Sequence, residues 1–386
     1  MLPLEICKGG TVGKKVLITG GAGFIGSHLG DLFLSEGYEV KAYDNLDPQV
    51  HGENASRPGY LNSEIELIVG DVRDAESFAE ALKPADILVH FAAAVGVGQS
   101  MYEITRYTSI NTMGAAIVLE EAVKQKDHIE KMLVASSMSI YGEGLYICPV
   151  CGEVTPKLRP TEQLARRKWD MFCPSCEKPC IPAPTPETKP LFPTSVYAVN
   201  KRDHEELFLS VGDAYGISTT AMRFFNVYGE RQALSNPYTG VGAIFASRLL
   251  NGKPPVVFED GGQSRDFIHV HDIARGCLLA IENDKSNGEV FNLGTGRKLS
   301  IMDVGKAIAQ ELGRPVDDFI VNNQYRAGDI RHCYADVSRA EKLLGFKAST
   351  TFENGVSELC SWVGSQTATD MVDKATEELR KRGLTR

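Results

Sequence analysis

Short apolar runs recur along the first half of the chain, separated by stretches in which apolar residues return at helical spacing. Lys15-Val16-Leu17-Ile18-Thr19 is apolar without alternation, the pattern of a parallel strand buried on both faces. The spacing predicts a helix from about Phe24 to Ser35, with Gly37 in its C-cap region. Further strands are predicted at Glu39–Asp44, Ile65–Val69, Ile87–Phe91, Lys131–Ala135 and Thr219–Phe224. Such alternation predicts an α/β protein with a doubly wound parallel sheet.

The pattern breaks near Gly142. From 145 to 192 the chain is rich in Cys, Pro, Lys and Arg with little periodicity, and helical reading resumes at Ser195. Segment 145–192 therefore reads as an inserted module. The sheet domain is expected to span 14–226, with 263–296 returning to it. Segments 227–262 and 297–364 mix short strands and helices and are expected to form a smaller C-terminal α/β portion. Residues 1–13 read as a loose leader. Residues 365–386, with their EELRKR run, read as an exposed helix or a frayed tail.

With 386 residues and 43% hydrophobic content, the chain is large enough for one big domain or two coupled ones. A formal charge of -9 argues against non-specific binding to nucleic acid or to an anionic membrane. The sequence has no apolar run long enough to span a bilayer, and its N-terminus lacks the apolar core of a signal peptide. A soluble, cytoplasmic protein is expected.

The first strand runs into Gly20-Gly21-Ala22-Gly23-Phe24-Ile25-Gly26, and Gly21-x-Gly23-x-x-Gly26 fits the dinucleotide fingerprint. The glycines permit a tight turn and close backbone approach to a pyrophosphate, and the helix N-terminus supplies free N–H groups to the anion. An ordinary glycine-rich turn is the alternative; the flanking strand and helix weigh against it. Gly20, Gly23, Phe24, Ile25 and Gly26 are thus the expected cradle. Asp44, ending the second strand beside Asn45, suits the adenosine ribose hydroxyls and would repel a 2′-phosphate, so NAD is favoured over NADP. Asp71 and Val72 are placed to hold adenine, and Ala92 and Ala93 are small enough to let the cofactor pass.

Tyr197 and Lys201 stand at i and i+4, on one face of a helix. A tyrosine is a poor base at neutral pH, but a nearby ammonium and a positive nicotinamide ring stabilise its phenolate. Ser137, at the end of the fifth strand, is placed to bridge a substrate hydroxyl and the tyrosine. Each signal is common singly. Their joint order, glycine loop, Ser137, then Tyr197 and Lys201, points to redox chemistry on a bound nicotinamide.

At these residues the chain resembles the nucleotide-sugar epimerase/dehydratase family of extended short-chain dehydrogenases/reductases, which have a Rossmann sheet. The matching stretches are TGGAGFIGSHL (19–29), SSMSIYG (136–142), YAVNK (197–201), RFFNVYG (223–229), RDFIHVHD (265–272) and FNLGTG (291–296), within about 15–345. The resemblance implies tightly bound NAD, a nucleotide-diphosphate sugar as substrate, oxidation of a sugar hydroxyl, and a homodimer. It makes Ser137, Tyr197 and Lys201 catalytic. It implies substrate contacts by Ser137, Ser139 and Asn226, a phosphate pair with Arg265, a further phosphate partner in Arg331, and a ribose contact by Asp329. Similar 4,6-dehydratases carry Asp-Glu after the serine. Met138 and Ser139 stand there instead, and neither shuttles a proton at neutral pH. Similar decarboxylases need a carboxylate in this stretch and 3,5-epimerases a cysteine. What is left suffices for C4 epimerisation. The alternatives are a UDP-hexose 4-epimerase, a 2-epimerase of a 6-deoxy nucleotide sugar, a 4-keto reductase, or a non-catalytic NAD-binding relative.

Five of the nine cysteines lie between Cys148 and Cys180. Cys148-Pro149-Val150-Cys151 and Cys173-Pro174-Ser175-Cys176 match the paired knuckles of a four-thiolate zinc ribbon, with Cys180 spare. Redox pairs and unliganded thiols are the alternatives. Such a closed site makes the zinc structural, a staple for a segment poor in apolar residues. Because the insert joins the serine strand to the tyrosine helix, it is expected beside the sugar pocket as a lid, a specificity wall or an oligomer contact. Arg159, Arg166, Arg167 and Lys168 read as a solvated basic face rather than as phosphate ligands. An insert of this kind after YGEG (141–144) resembles a subgroup of bacterial nucleotide-sugar epimerases that includes enzymes acting on dTDP-L-rhamnose, and the resemblance favours that substrate.

Overall fold

The computed structural model describes residues 13–53, 56–233, 240–326, 328–366 and 372–385. Most of the expected leader lies outside the described residues. Five parallel strands, β1 (Lys15–Thr19), β2 (Glu39–Asp44), β3 (Glu66–Val69), β4 (Ile87–His90) and β5 (Lys131–Ser137), are joined by Ser218–Phe224 and Val290–Leu293. Their order across the sheet is Val290–Leu293, Ser218–Phe224, β5, β4, β1, β2, β3. Apolar residues run through the central strands because both faces are covered. On one face α1 (Phe24–Ser35) and the helix Val270–Glu282 bury Leu29, Phe33, Ile273 and Cys277. The other face carries Phe78, Val118, Leu119 and Phe208, from helices Ala75–Leu82, Gly114–Lys124 and Val196–Tyr215.

Strand order reverses between β1 and β4, so the loops leaving those two strands part to opposite sides. This switch point opens a crevice at the strands' carboxyl ends, where ligands of such sheets bind. A separate apolar cluster, including Phe245, Ile308, Phe352 and Leu359, organises the C-terminal portion. The strand Val290–Leu293 escaped the periodicity reading: it is short, and its alternate side chains give no helical or strand signature alone.

The insert folds as a three-stranded antiparallel sheet in the order Gly152–Val154, Leu145–Cys148, Ile181–Ala183. Tyr146, Cys148, Met171, Cys173 and Cys180 form its small core. The tail departs from the expectation of an exposed or frayed end. Its helix Val372–Lys381 is present, but Leu379 and Thr385 are buried and Thr385 bridges Arg326. Among the described residues, no helix is long and apolar enough to cross a membrane.

Candidate active site

A cavity of about 950 Å³ opens at the switch point, lined by the glycine turn, Asp44, Ser137, Tyr197, Asn226 and Arg265 among others. Gly20 has φ +69, and a Cβ there would stand 2.8 Å from the Ala92 amide nitrogen. At Gly26 a Cβ would collide with the Gly20 carbonyl. Both positions therefore tolerate only hydrogen, which keeps β1, the turn and α1 close enough to leave a bare backbone surface. Gly23 caps α1 without any side-chain hydrogen bond to the first N–H groups, which are left for an anion. The residues present thus fit a dinucleotide pyrophosphate.

Asp44 is aimed by two backbone donors, Ala22 N–H at 3.1 Å and Leu46 N–H at 2.9 Å. Burial raises its pKa, and the His51 ring stands 3.8 Å from its carboxylate. Asn45 reaches Asp71 at 3.5 Å, and Arg73 grips the same carboxylate at 2.6 Å, holding Asp71 below the usual range. Val72, Ala92, Ala93, Phe24 and Ile25 also line the cavity. Sequence reasoning missed Asn111. Its amide clamps Ala94 from both sides, accepting from Ala94 N at 2.7 Å and donating to Ala94 O at 3.1 Å. It sits in a π-turn, Ser109–Met113, a distortion frequent at functional sites. No sequence signal marks it: it lies between Ile110 and Thr112, and only folding brings it to Ala94.

Ser137 is brought to the cavity by β5, and Tyr197 and Lys201 by the helix Val196–Tyr215. Ser195 caps that helix by accepting from Ala198 N at 3.1 Å, and the Tyr197 amide donates to Ser100 Oγ at 3.0 Å. Ser137 Oγ accepts from Ser139 N at 3.1 Å and from Ser139 Oγ at 3.0 Å, and it lines the same cavity as Tyr197. Lys201 donates to the Ala135 carbonyl at 2.8 Å and lies 3.5 Å from His204 Nδ1. Burial pushes the Tyr197 pKa up to about 12, against the pull of Ser137. Burial also brings Lys201 down to about 7. His90 and His204 pack behind the lysine, and burial keeps both neutral. The protein alone thus holds a phenol and a weakly basic amine, and a phenolate needs further positive charge beside it.

At the other end of the cavity Asn226 has a buried Oδ1 with no protein hydrogen-bond partner, a site shaped for a ligand donor. Arg265 donates to the carbonyls of Ser264 at 2.8 Å, Ile330 at 2.8 Å and Arg331 at 3.1 Å. Asp329 lines the cavity and accepts from Arg326 Nε at 2.8 Å; Arg326, which sequence reasoning missed, also lines it. Its nearness to Asp329 in the same loop was the signal.

Arg331, expected as a phosphate partner, is not among the residues that line the cavity. Its buried guanidinium binds Asp260 at 2.6 and 2.9 Å and Glu259 at 3.0 Å, away from the cavity lining. Arg159 is neither a phosphate ligand nor part of a solvated face. It is buried and forks onto Glu259 at 2.8 and 3.0 Å. Arg166, Arg167 and Lys168 are exposed.

In the insert the sulfurs of Cys148, Cys151, Cys173 and Cys176 lie within 4.8 Å of one another, and Cys148 and Cys176 are 3.4 Å apart. Tetrahedral thiolates around zinc stand about 3.8 Å apart, given a Zn–S bond of about 2.3 Å. Backbone N–H groups of Cys151 and Val150 point at Cys148 and lower its pKa to about 6. Cys180 is buried beside the four and outside their group. No residue of 145–192 appears in the cavity lining among the described residues. The insert instead stands one layer behind it. Glu143 accepts from Arg331 N at 2.8 Å, Gly144 N donates to His332 O at 2.8 Å, and Thr185 N to Tyr334 O at 2.8 Å. Glu143 and Gly144, just before the insert, and Thr185 within it thereby brace the segment that follows Asp329 and Ile330.

The family model described as the NAD dependent epimerase/dehydratase family matches residues 16–171 and 172–294. A dTDP-L-rhamnose 4-epimerase of Burkholderia thailandensis is 35% identical over 357 residues, covering 92% of this chain and 96% of that one. A UDP-glucose 4-epimerase of Thermotoga maritima, solved with UDP-glucose, superposes with a TM-score of 0.73 at 29% identity, covering 90% and 98%. A UDP-glucose 4-epimerase of Thermus thermophilus, solved with NAD, gives 0.72 at 27% identity, covering 92% and 100%.

Proposed function

We propose that this chain, which belongs to the NAD dependent epimerase/dehydratase family, inverts C4 of a nucleotide-diphosphate sugar, with dTDP-L-rhamnose as favoured substrate and dTDP-6-deoxy-L-talose as product. The observation that carries this reading is the Ser137–Tyr197–Lys201 group in one cavity with the glycine cradle, where Met138 and Ser139 follow the serine and offer no acid–base pair.

The residues that would hold NAD are Gly20, Gly23, Gly26 and Asp44, and NAD supplies an acceptor that takes a hydride from the sugar and returns it. Tyr197 takes the C4 hydroxyl proton and gives it back after the 4-keto sugar has turned about its diphosphate linkage. Ser137, whose hydroxyl pulls the Tyr197 pKa down against burial, orients that hydroxyl. Lys201 beneath the tyrosine supplies positive charge for the phenolate. Arg265 and Arg326 anchor the diphosphate while the sugar ring turns. Proton NMR of the purified protein with dTDP-L-rhamnose and no added cofactor is expected to show the 4-epimer growing to a fixed ratio. No change with dTDP-L-rhamnose, UDP-glucose, UDP-N-acetylglucosamine or GDP-sugars would overturn the reading.

The four thiolates suit a structural zinc ion. Metal analysis should find one zinc per chain, and Cys173→Ser should abolish retention while leaving NAD bound; a metal-free wild-type chain would refute it. A homodimer fits the apolar residues Ile104, Met113 and Val199 exposed on neighbouring helices.

A further inference from the structure

We infer that the C-terminal segment 377–385 is a wall of the nucleotide-sugar site, and that Arg380 contributes a cation to the nucleoside diphosphate. The inference rests on the nucleotide-sugar reading above. Leu379, Arg380 and Leu384 line the same cavity as Ser137 and Arg265. The segment is anchored at two places on opposite sides of the crevice. Thr385, 7% exposed, forms an antiparallel bridge with Arg326 of the substrate portion. Arg382 lies 4.2 Å over the ring of Tyr102, which follows Met101 of the cavity lining on the sheet side. A chain that was merely trailing would bury neither Leu379, at 6% exposure, nor Thr385.

The charges on this segment are sorted. Lys381 pairs with Glu377 at 3.1 Å, and Arg382 stands 3.7 Å from Glu378. Arg380 has no acidic partner among the described residues, and it is the basic side chain of the three that faces the cavity. A guanidinium with no acidic partner, lining the same cavity as Arg326, matches a diphosphate, which a planar fork of N–H donors holds bidentately. Leu379 and Leu384 supply the apolar side of the wall and exclude water from the phosphates, which strengthens those contacts.

The test compares the full chain with one ending at Gln366 and with Arg380→Ala. Calorimetry would use dTDP and UDP as probes, and steady-state rates would use whichever nucleotide sugar the full chain turns over. Truncation is expected to raise KM and the diphosphate Kd about tenfold or more, and Arg380→Ala about five- to tenfold with kcat little changed. Unchanged Kd values in both variants would overturn the inference. If the truncated chain fails to fold, Arg380→Ala and Leu384→Gln carry the test alone, and unchanged Kd values for these two would overturn it. A full chain that binds dTDP or UDP but converts no sugar would refute the epimerase reading only, because the diphosphate Kd still tests the wall.

Discussion

Replacing Tyr197 with phenylalanine is expected to lower turnover about 10²- to 10⁴-fold while leaving the fold and NAD content intact. The ring stays and packs as before; only the hydroxyl facing the cavity is lost. Burial pushes that hydroxyl up to about 12, so the wild-type rate is expected to rise with pH as the base ionises. The sign follows from the phenolate being the active form: raising pH increases its fraction. Positive charge from the cofactor, when bound, moves this limb to lower pH. The residual rate of Tyr197→Phe should lack the limb. Near-normal turnover, or an unchanged pH limb in the variant, would exclude Tyr197 as the base. Stopped assays across pH on both proteins, with bound cofactor measured from the same samples, decide it.

Replacing Glu259 with alanine is expected to cost about 3–5 kcal/mol of stability. Glu259 is 2% exposed and lies between two buried cations. Its Oε2 accepts from Arg159 and Arg331 at 3.0 Å each, and its Oε1 from Arg159 at 2.8 Å. Removing it leaves the Arg159 guanidinium, whose side chain is 1% exposed, facing the more distant Glu143 at 3.7 Å. The backbone also shows what the pairing sustains: Glu259 is held at φ 53, a left-handed conformation unfavourable for a residue with a Cβ. Arg159 belongs to the insert and Glu259 to the substrate portion, so the variant should also loosen the insert from its seat. Urea unfolding of both proteins, followed by proteolysis within 145–192, measures the two effects. A loss below about 1 kcal/mol, the range of surface ion pairs, would show that this cluster is not a buried staple.

Local pattern carried most of the sheet. β1, β2 and α1 fall at their expected residues, because each is a buried run or amphipathic stretch whose signature lies in its own sequence. β5 runs two residues past its expected end, to Ser137, since the serines continue strand pairing against Arg223 and Phe224 after apolar character stops. The glycine turn, Asp44, Ser137, Tyr197 and Lys201 were legible because spacing along a strand end or a helix face fixes where such side chains point. The paired CxxC knuckles were legible for the same reason.

Charged side chains far apart in sequence were not legible. Arg331 and Arg326 sit in one loop and look alike on paper; only Asp260 and Glu259, brought up by folding, turn the first inward, while the second stays in the cavity. Arg159 looked like a solvated charge until Glu259 buried it. The tail looked frayed because its helix is polar, and its anchors on Arg326 and Tyr102 lie far back along the chain. The sequence by itself determined the sheet, the glycine turn, the proposed Ser137–Tyr197–Lys201 group and the cysteine knuckles, all set by short-range periodicity. The tertiary structure alone decided which arginines line the cavity, where the insert is seated and where the tail is anchored, because a charge takes its role from whichever partner the fold brings to it.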